Sequence, residues 1–397
     1  MKKIVIHGCT GLKNSGDEAI LQTIIQQYGE EYDITVISRA PEYTRQMHPG
    51  VKVIPDEKQA CQNAIRQCDL FLLGGGGLLQ DETTVFNVSV WLRYLKYAKK
   101  LGKKICVYAN SVGPVKVKWN RYLVRKHLKD VDLITLRDKD SALLLKELGI
   151  TQQVQVTADP VFSLKWSLEE RNTVQEKQQE ASQMAQKESA RKDKGEYVCM
   201  ALRHWFDMIP FIPVKICNKF GIRSAKNKKR YERYIQTMAE TTEYINRELG
   251  YDVVFVSFLY GRDDKVARDI LAQVKETAGR RNQLVTDEYL TPNEVLNVIA
   301  HARFLVGMRL HSVIYAIRTH TPMVILDYSA KVRAMAKLNR LSDYCVDVNT
   351  MDTQGVKEAI RRMLAKEEEL KNIICEQEKI MQEQEQKNKA LLSQWMK

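Results

Sequence analysis

The 397-residue sequence lacks several features that assign a chain to a broad class of protein. No stretch approaches the roughly 18 uninterrupted apolar residues of a membrane-spanning helix. The first residues, MKKIVIHG, contain only three apolar side chains between Met1 and His7, too few for a signal peptide. None of the eight cysteines lies in a CxxC motif, which favours reduced structural thiols over a zinc or redox site. These absences predict a cytoplasmic protein, in which any membrane contact is peripheral and made at the inner face.

Positive charge is in excess over the whole sequence. Lys and Arg number 62 against 49 Asp and Glu, a net charge of +13, which favours anionic partners such as acidic lipid or phosphorylated metabolites. The basic run KNKKR (226–230) has no aromatic residues interleaved for stacking on bases. A solvated surface therefore explains this run better than a nucleic-acid site, and we expect no nucleic-acid partner.

Short β-rich runs alternate with amphipathic helical patterns in both halves of the chain. In the first half, KIVIHG, DITVIS and DLFLLGG are typical of buried strands, and DEAILQTIIQQ is typical of a helix between them. The same alternation restarts at Tyr197 with YVCMALR. Such alternation predicts an α/β fold, with two doubly wound, Rossmann-like domains facing a cleft.

Changes in composition divide the chain into four parts. The predicted parts are an N-terminal α/β domain (1–165), a Gln-, Glu- and Lys-rich linker or insert (166–196), a C-terminal α/β domain (197–365) and a C-terminal helix (366–397). Ligands of doubly wound sheets bind beyond the carboxyl ends of the strands, so the loops at those ends are the places to look for a site.

The first strand–helix loop, HGCTGLKNSGDEAIL, carries several polar side chains. Asn14 and Ser15 are candidate helix caps, and Asp17 and Glu18 fall in the first helical turn. The loop lacks GxGxxG, and two carboxylates would repel a phosphate at this helix end. Two interpretations remain open: capping alone, or contact with a hydroxyl-rich acceptor such as a sugar.

Other polar or flexible residues follow predicted strands of the same domain. Four glycines, among them Gly75 and Gly76, come directly after DLFLL and allow a close backbone or ligand approach. Asn110 ends the strand KICVYAN, and Arg137 ends the strand DLITL. We expect these residues to border a substrate.

Basic side chains follow three predicted strands of the second domain. Arg203 ends YVCMALR, Arg309 and His311 flank Leu310 after RFLVG, and Lys331 follows MVILDY. If the sheet is parallel, these groups emerge at one edge. Arginine forks and a lysine suit a small anionic ligand with carboxylate or phosphate oxygens, and a histidine can exchange a proton near neutral pH.

Six segments occur in an order that resembles the polysaccharide pyruvyl transferase family. They are NSGDEAIL (14–21), LLGGGGLLQD (72–81), RDKDS (137–141), ADP (158–160), MRLHSVIYA (308–316) and DYSAK (327–331). The resemblance implies a two-domain, glycosyltransferase-B-like (GT-B-like) enzyme. It also implies transfer of the pyruvyl group of phosphoenolpyruvate to a sugar of a cell-surface or exopolysaccharide precursor as a ketal, with release of phosphate and without cofactor or metal.

The resemblance also implies roles for individual residues. His311 would be the general acid that protonates the methylene carbon of the donor, with Arg309 and Arg203 as its catalytic partners. Lys331, Leu310 and Arg137 would bind the donor. The acceptor, a glycan or a lipid-linked sugar, would meet the N-terminal domain.

Two alternatives belong to other classes. A GT-B-type glycosyltransferase using a nucleotide sugar would need an acidic residue for ribose or sugar, whereas YSAKVRAMAK (328–337) offers only cations after Asp327. A non-catalytic protein that binds an anionic glycan or a membrane surface would show salt-dependent binding and no consumption of a donor.

Overall fold

The computed structural model describes residues 1–150, 154–168, 197–206, 223–285 and 289–396. The predicted insert at 166–196 lies outside the described residues from residue 169 onward. The chain divides into two compact units. Unit 1 comprises Met1–Lys165 and Ile380–Lys397, and unit 2 comprises Trp166–Lys379.

Unit 1 is built on an eight-stranded parallel sheet in the order β3-β2-β1-β4-β6-β7-β8, with β5 pairing to β6. The central strands β1, β4 and β6 are buried apart from the lysines that begin β1 and β6, as expected when helices cover both faces. The strands are β1 (Lys2–His7), β2 (Tyr32–Ser38), β3 (Lys52–Pro55), β4 (Leu70–Leu73), β5 (Gly76–Leu79), β6 (Lys104–Val112), β7 (Leu133–Leu136) and β8 (Val154–Val156).

Six α-helices connect the described strands of unit 1. They are α1 (Ser15–Tyr28), α2 (Pro41–Met47), α3 (Lys58–Gln67), α4 (Asn87–Lys100), α5 (Lys118–Leu128) and α6 (Lys139–Glu147). A 3₁₀ turn, Pro160–Ser163, follows β8. Helix α1 shows the pattern at its clearest, because Ile20, Leu21 and Ile24 are spaced to form one apolar stripe and all three are buried.

Unit 2 contains a six-stranded parallel sheet in the order β11-β10-β9-β12-β13-β14. Its strands are β9 (Tyr197–Ala201), β10 (Asp252–Val256), β11 (Asn282–Val285), β12 (Leu305–Gly307), β13 (Met323–Asp327) and β14 (Cys345–Asp347). β9, the first strand of unit 2 along the chain, lies in the middle of the sheet, and the later strands lie on both sides of it. That order places the carboxyl ends of neighbouring strands at a topological switch point.

The described helices of unit 2 are α7 (Ala225–Arg247), α8 (Asp263–Leu271), α9 (Pro292–Ala300), α10 (Leu310–Arg318), α11 (Ala330–Leu338) and α12 (Thr353–Ala365). A second 3₁₀ turn, Ser342–Tyr344, precedes β14. Helix α9 begins with a capping box, in which Thr291 and Glu294 satisfy each other's backbone amides. None of the helices in the described ranges has the length and apolarity that a membrane span requires.

The last helix, α13 (Glu367–Met396), contributes its first part to unit 2 and its second part to unit 1. Within unit 1, Asn388 is fully buried and its side chain contacts both the Thr157 hydroxyl, at 2.8 Å, and the Ala158 carbonyl, at 3.1 Å. Glu385 is also fully buried and accepts hydrogen bonds from Gln27 of α1. Burial raises the pKa of the Glu385 carboxyl.

Candidate active site

Three neighbouring strands of unit 2 carry the predicted basic residues to one edge of the sheet. Arg203 follows β9, Arg309 and His311 follow β12, and Lys331 follows β13. In the sheet β12 lies between β9 and β13, with all three parallel. The carboxyl ends of these strands therefore meet, and the structure brings the four residues to the edge predicted from the sequence.

Arg203 links the ends of β9 and β13. Its Nη1 donates to the hydroxyl of Tyr328 at 2.6 Å, and its guanidinium lies 4.7 Å from the Tyr328 ring centroid. The ring of Trp205 stands 5.2 Å from the same guanidinium and meets Tyr328 edge-on. Two aromatic rings thus hold a half-buried cation in place at the ligand edge.

Arg309 forms a bidentate ion pair that the sequence did not predict. Its Nε donates to Oδ2 of Asp263 at 2.8 Å and its Nη2 donates to Oδ1 at 2.6 Å. The Asp263 side chain is 1% exposed and also accepts the Leu259 amide at 2.9 Å. Arg309 therefore carries a counter-ion, which fixes the orientation of its guanidinium and offsets its charge.

His311 lies in the first turn of α10, directly after the tight connection from β12. A Cβ at Gly307 would come within 2.8 Å of the Ser312 hydroxyl, so this turn requires glycine. The Ser312 hydroxyl in turn donates to the Arg309 carbonyl at 2.7 Å. These contacts fix the start of α10, where Leu310 and His311 are both half-buried.

Lys331 lies in the first turn of α11, which Ser329 caps. The preceding Asp327 is buried and engaged: its Oδ1 accepts the Ser329 amide at 3.2 Å and its Oδ2 accepts Nε of Arg333 at 2.6 Å. The Asp327 carboxylate, at the end of β13, thus holds the β13–α11 turn and pairs with Arg333 of α11.

The polar residues of the first loop of unit 1 divide into two groups. Asn14 caps α1 by accepting the Gly16 amide at 3.0 Å, and Asp17 is half-exposed, whereas Ser15 is buried. Glu18 is fully buried and accepts the Gly11 amide at 3.0 Å and Nε2 of His48 at 2.9 Å. This position differs from the predicted sugar contact for Glu18, because one carboxylate oxygen holds the loop at Gly11 and the other is engaged by His48.

The glycine run allows α1 to approach the sheet. A Cβ at Gly75 would lie 2.9 Å from Cγ2 of Ile20, and Gly76 has a φ of +104°. Asn110 is fully buried, and its Nδ2 donates to the carbonyls of Leu73 and Gly74 at 3.0 and 2.7 Å. The loop is thus built by close packing, with Gly75, Gly76 and Asn110 all buried.

Arg137 lies in an internal network of unit 1. It is 5% exposed, pairs through Nη1 with Asp159, and donates from Nε to the Ser111 hydroxyl at 2.7 Å. Ser111 donates in turn to Asp138 at 2.6 Å. This differs from the expected role of Arg137 in donor binding: its charge is neutralised within the domain, and it joins the RDKDS and ADP segments.

His7, at the end of β1, belongs to the core of unit 1. His7 is buried among the rings of Phe71, Trp91 and Tyr94. Burial lowers the pKa of His7 to about 3, so its ring is neutral at physiological pH. Across the described ranges, no group of three or more His, Cys, Asp and Glu side chains could hold a metal ion.

Sequence reasoning missed Asp263 and Tyr328, which position Arg309 and Arg203. A signal for Asp263 was present, since GRDDK (261–265) follows the apolar run YDVVFVSFL (251–259), which is typical of a buried strand, and so lies at the ligand edge. Pairing across 46 residues, however, follows from tertiary packing and has no local pattern.

Solved structures of similar fold cover almost the whole chain. UDP-GlcNAc 2-epimerase from Neisseria meningitidis bound to UDP-GlcNAc superposes with a TM-score of 0.60 at 13% identity, covering 100% of this chain and 99% of that one. Anabaena Alr3699/HepE in complex with UDP gives a TM-score of 0.58 at 9% identity, with the same coverage. These likenesses confirm the predicted fold, two parallel-sheet α/β domains of GT-B type.

Sequence comparisons identify the family. The amylovoran biosynthesis protein AmsJ of Erwinia amylovora is 22% identical to this chain, over 96% of this chain and 97% of that protein. The sequence pattern of the polysaccharide pyruvyl transferases matches residues 14–330. Of the four basic-edge residues of unit 2, this range includes Arg203, Arg309 and His311, and the fourth, Lys331, is the next residue after it. The chain belongs to the polysaccharide pyruvyl transferase family.

Proposed function

We propose that the protein transfers the pyruvyl group of phosphoenolpyruvate to a sugar of a polysaccharide precursor, forming a ketal and releasing phosphate. Its family supports a transferase acting in polysaccharide synthesis. The observation that carries the proposal is the meeting of Arg203, Arg309, His311 and Lys331 at the carboxyl ends of three adjacent strands.

The donor has two anionic groups a few bonds apart, a carboxylate and a phosphate. In the proposal, Arg203 and Lys331 bind these groups, since they reach the edge from the two outer strands of the three. Arg309 is held by Asp263 between them and presents a guanidinium of fixed orientation. A pre-oriented cation loses less entropy on binding and is better suited to stabilising charge that develops during the reaction.

His311 delivers a proton to the methylene carbon of the donor, which leaves an oxocarbenium-like centre at the neighbouring carbon. A sugar hydroxyl adds to this centre and gives up its proton. A second hydroxyl of the same sugar then displaces the phosphate, closing the cyclic ketal. The arginines and Lys331 offset the negative charge as the carbon–oxygen bond to phosphate breaks. The acceptor is assigned to unit 1, where Asn14, Ser15 and Asp17 stand at the start of α1.

A nucleotide sugar is the competing donor, because the structures of similar fold contain UDP or UDP-GlcNAc. The buried position of Asp327 favours phosphoenolpyruvate, since that carboxylate is engaged by the Ser329 amide and Arg333 and is 4% exposed. Thermal-shift measurements with phosphoenolpyruvate, UDP and UDP-GlcNAc separate the two donors. Stabilisation by the UDP compounds alone would reject the proposal.

Turnover tests the role of His311. Phosphate release from phosphoenolpyruvate is measured with a panel of saccharide and lipid-linked sugar acceptors, for the wild type, His311→Gln and the control His320→Gln. His320 is an exposed histidine of the same unit, paired with Glu378. We expect His311→Gln to bind the donor but to lose at least about a hundredfold in rate, within the usual contribution of a general acid. Normal turnover by His311→Gln would remove it from this role.

A further inference from the structure

A group of large apolar side chains is exposed on unit 1. Val85, Phe86, Val117, Trp119 and Tyr122 have exposed fractions of 52, 66, 37, 63 and 47%. Single exposed apolar residues are ordinary, but contiguous patches mark binding surfaces. We call these five residues the α5 surface, since three of them lie in or next to α5.

Hydrogen bonds hold the two segments of the α5 surface together. The buried carboxylate of Asp81 accepts the backbone amides of Lys116 and Val117, at 2.9 and 2.8 Å. Nδ2 of Asn120, in the first turn of α5, donates to the Val85 carbonyl at 2.9 Å. The loop at 85–86 is therefore fixed beside the start of α5, and the exposed side chains form one patch.

The same helix is strongly basic on its exposed side. Residues 116–129 contain six Lys and Arg and no Asp or Glu. Arg121 is paired with Glu147, whereas Lys118, Arg125 and Lys126 are solvent-exposed. The ammonium group of Lys126 stands over the ring of Tyr122, 5.4 Å from its centroid. Exposed cations thus lie along the same helix as Trp119 and Tyr122.

The opposite face of α5 packs into the domain. Val124 and Leu128 are buried there, and so is His127. Burial lowers the pKa of His127, and the nearby Lys96, Lys126 and Lys99 lower it further. The field around α5 is therefore positive from α4 as well as from α5 itself, although Lys99 is paired with Asp130.

A helix that buries one side and exposes tryptophan, tyrosine and several cations on the other matches the chemistry of a bilayer interface. Aromatic rings favour the headgroup level, and basic side chains favour anionic lipid phosphates. We propose that the α5 surface docks unit 1 on an anionic membrane, with Phe86 and Trp119 entering the headgroup layer.

Two other occupants fit the surface less well. A second copy of the chain in a symmetric contact would bring the same exposed cations together, which costs electrostatic energy. Single-stranded nucleic acid binds through aromatic faces, but Trp119 and Tyr122 are already stacked on each other, with centroids 5.2 Å apart. An anionic lipid surface would contact both the aromatic rings and the exposed cations of α5.

The α5 surface borders the ligand edge of its own sheet. The 85–86 loop follows the carboxyl end of β5, and α5 follows the carboxyl end of β6. On the proposed function, docking would place the acceptor loops of unit 1 beside lipid-linked sugars. This consequence depends on the proposed function, whereas membrane docking itself does not.

Vesicle co-sedimentation of the full chain, without donor or acceptor, tests the proposal independently of pyruvyl transfer. The vesicles contain phosphatidylcholine alone or equal parts of phosphatidylcholine and phosphatidylglycerol. Two variants remove the surface, Phe86→Ser/Trp119→Ser and Arg125→Gln/Lys126→Gln. The matched controls are Leu338→Ser and Lys228→Gln/Lys229→Gln, since these residues are exposed in unit 2.

We expect binding to the anionic vesicles that weakens with salt. Loss of two basic side chains weakens binding by about 25-fold, or about fivefold for each charge. The Phe86→Ser/Trp119→Ser variant weakens it by at least about tenfold, from the lost apolar burial. Both controls bind within about twofold of the wild type. Absence of binding, or equal losses in the controls, would overturn the proposal; so would a dimer that only the surface variants dissociate.

Discussion

The pair formed by Arg309 and Asp263 makes a prediction that needs no acceptor. In Asp263→Asn an amide nitrogen must replace one carboxylate oxygen. Oδ2 faces two donors, Nε of Arg309 at 2.8 Å and the Leu259 amide at 2.9 Å, and Oδ1 faces Nη2 of Arg309 at 2.6 Å. Either orientation of the amide therefore places donor against donor and leaves the guanidinium without its counter-ion.

The Arg309 and Asp263 side chains are only 12% and 1% exposed, so we treat their ion pair as a buried one. Breaking a buried pair by removing one partner costs about 3 kcal/mol. For a domain of this size that corresponds to a fall in Tm of about 6–12 °C. Because Arg309 also loses its fixed orientation, we expect the affinity for phosphoenolpyruvate to fall about tenfold, as for loss of a charge-assisted hydrogen bond.

Thermal unfolding and calorimetric titration with phosphoenolpyruvate measure the two effects. Asp264→Asn is the matched control, since the neighbouring carboxylate is also buried but pairs with the exposed Arg268. That change should cost about 1 kcal/mol or less and leave donor affinity unaltered. Wild-type stability and donor affinity in Asp263→Asn would refute the positioning role of Asp263.

Three further predictions concern unit 1. Because the pKa of Glu385 is raised in the folded state, its contribution to stability is complete below pH 4.5 and is lost as pH rises through the folded pKa. Glu385→Gln should therefore be more stable than the wild type at pH 8 and no more stable at pH 4. Urea unfolding at the two pH values measures this difference. Gly75→Ala should cost about 1–3 kcal/mol through overlap with Ile20. In Gly8→Ala the new Cβ would meet no atom closer than 3.9 Å, so stability should change by less than about 1 kcal/mol. Arg137→Met should cost about 3 kcal/mol by leaving the buried carboxylate of Asp159 without this cation, yet leave the affinity for phosphoenolpyruvate within about twofold of wild type.

Apolar runs made most of the sheet predictable. KIVIHG and DLFLLGG are long enough and apolar enough to exclude other interpretations, and both are strands. β14 was missed because it is only three residues long and half-buried, and β5 because it begins inside the glycine run. The apolar spacing of VARDILAQVKETAG (266–279) is typical of a helix over that range, whereas α8 spans Asp263–Leu271. Helix ends thus depend on tertiary contacts more than on the apolar stripe.

The basic edge of unit 2 was predictable because strand ends can be read from the sequence and parallel strands end together. The partners of those residues were not predictable in this way. Asp263 and Arg309 are 46 residues apart, and Arg203 and Tyr328 are 125 apart. In unit 1 the same reasoning selected Arg137, which follows a strand, and Glu18, which lies in the first turn of a helix. Both side chains face inward instead. Position at a strand end indicates an edge, whereas the direction of the side chain follows from packing.

Calorimetric titration of phosphoenolpyruvate into the wild type and Arg203→Gln tests the central claim most directly. Arg340→Gln, an exposed cation of unit 2 paired with Glu376, removes the same charge away from the basic edge. We predict that the wild type and Arg340→Gln bind the donor equally and that Arg203→Gln binds it at least about tenfold more weakly. Equal affinity in all three proteins, or no binding by the wild type, would contradict the assignment of the basic edge as the donor site.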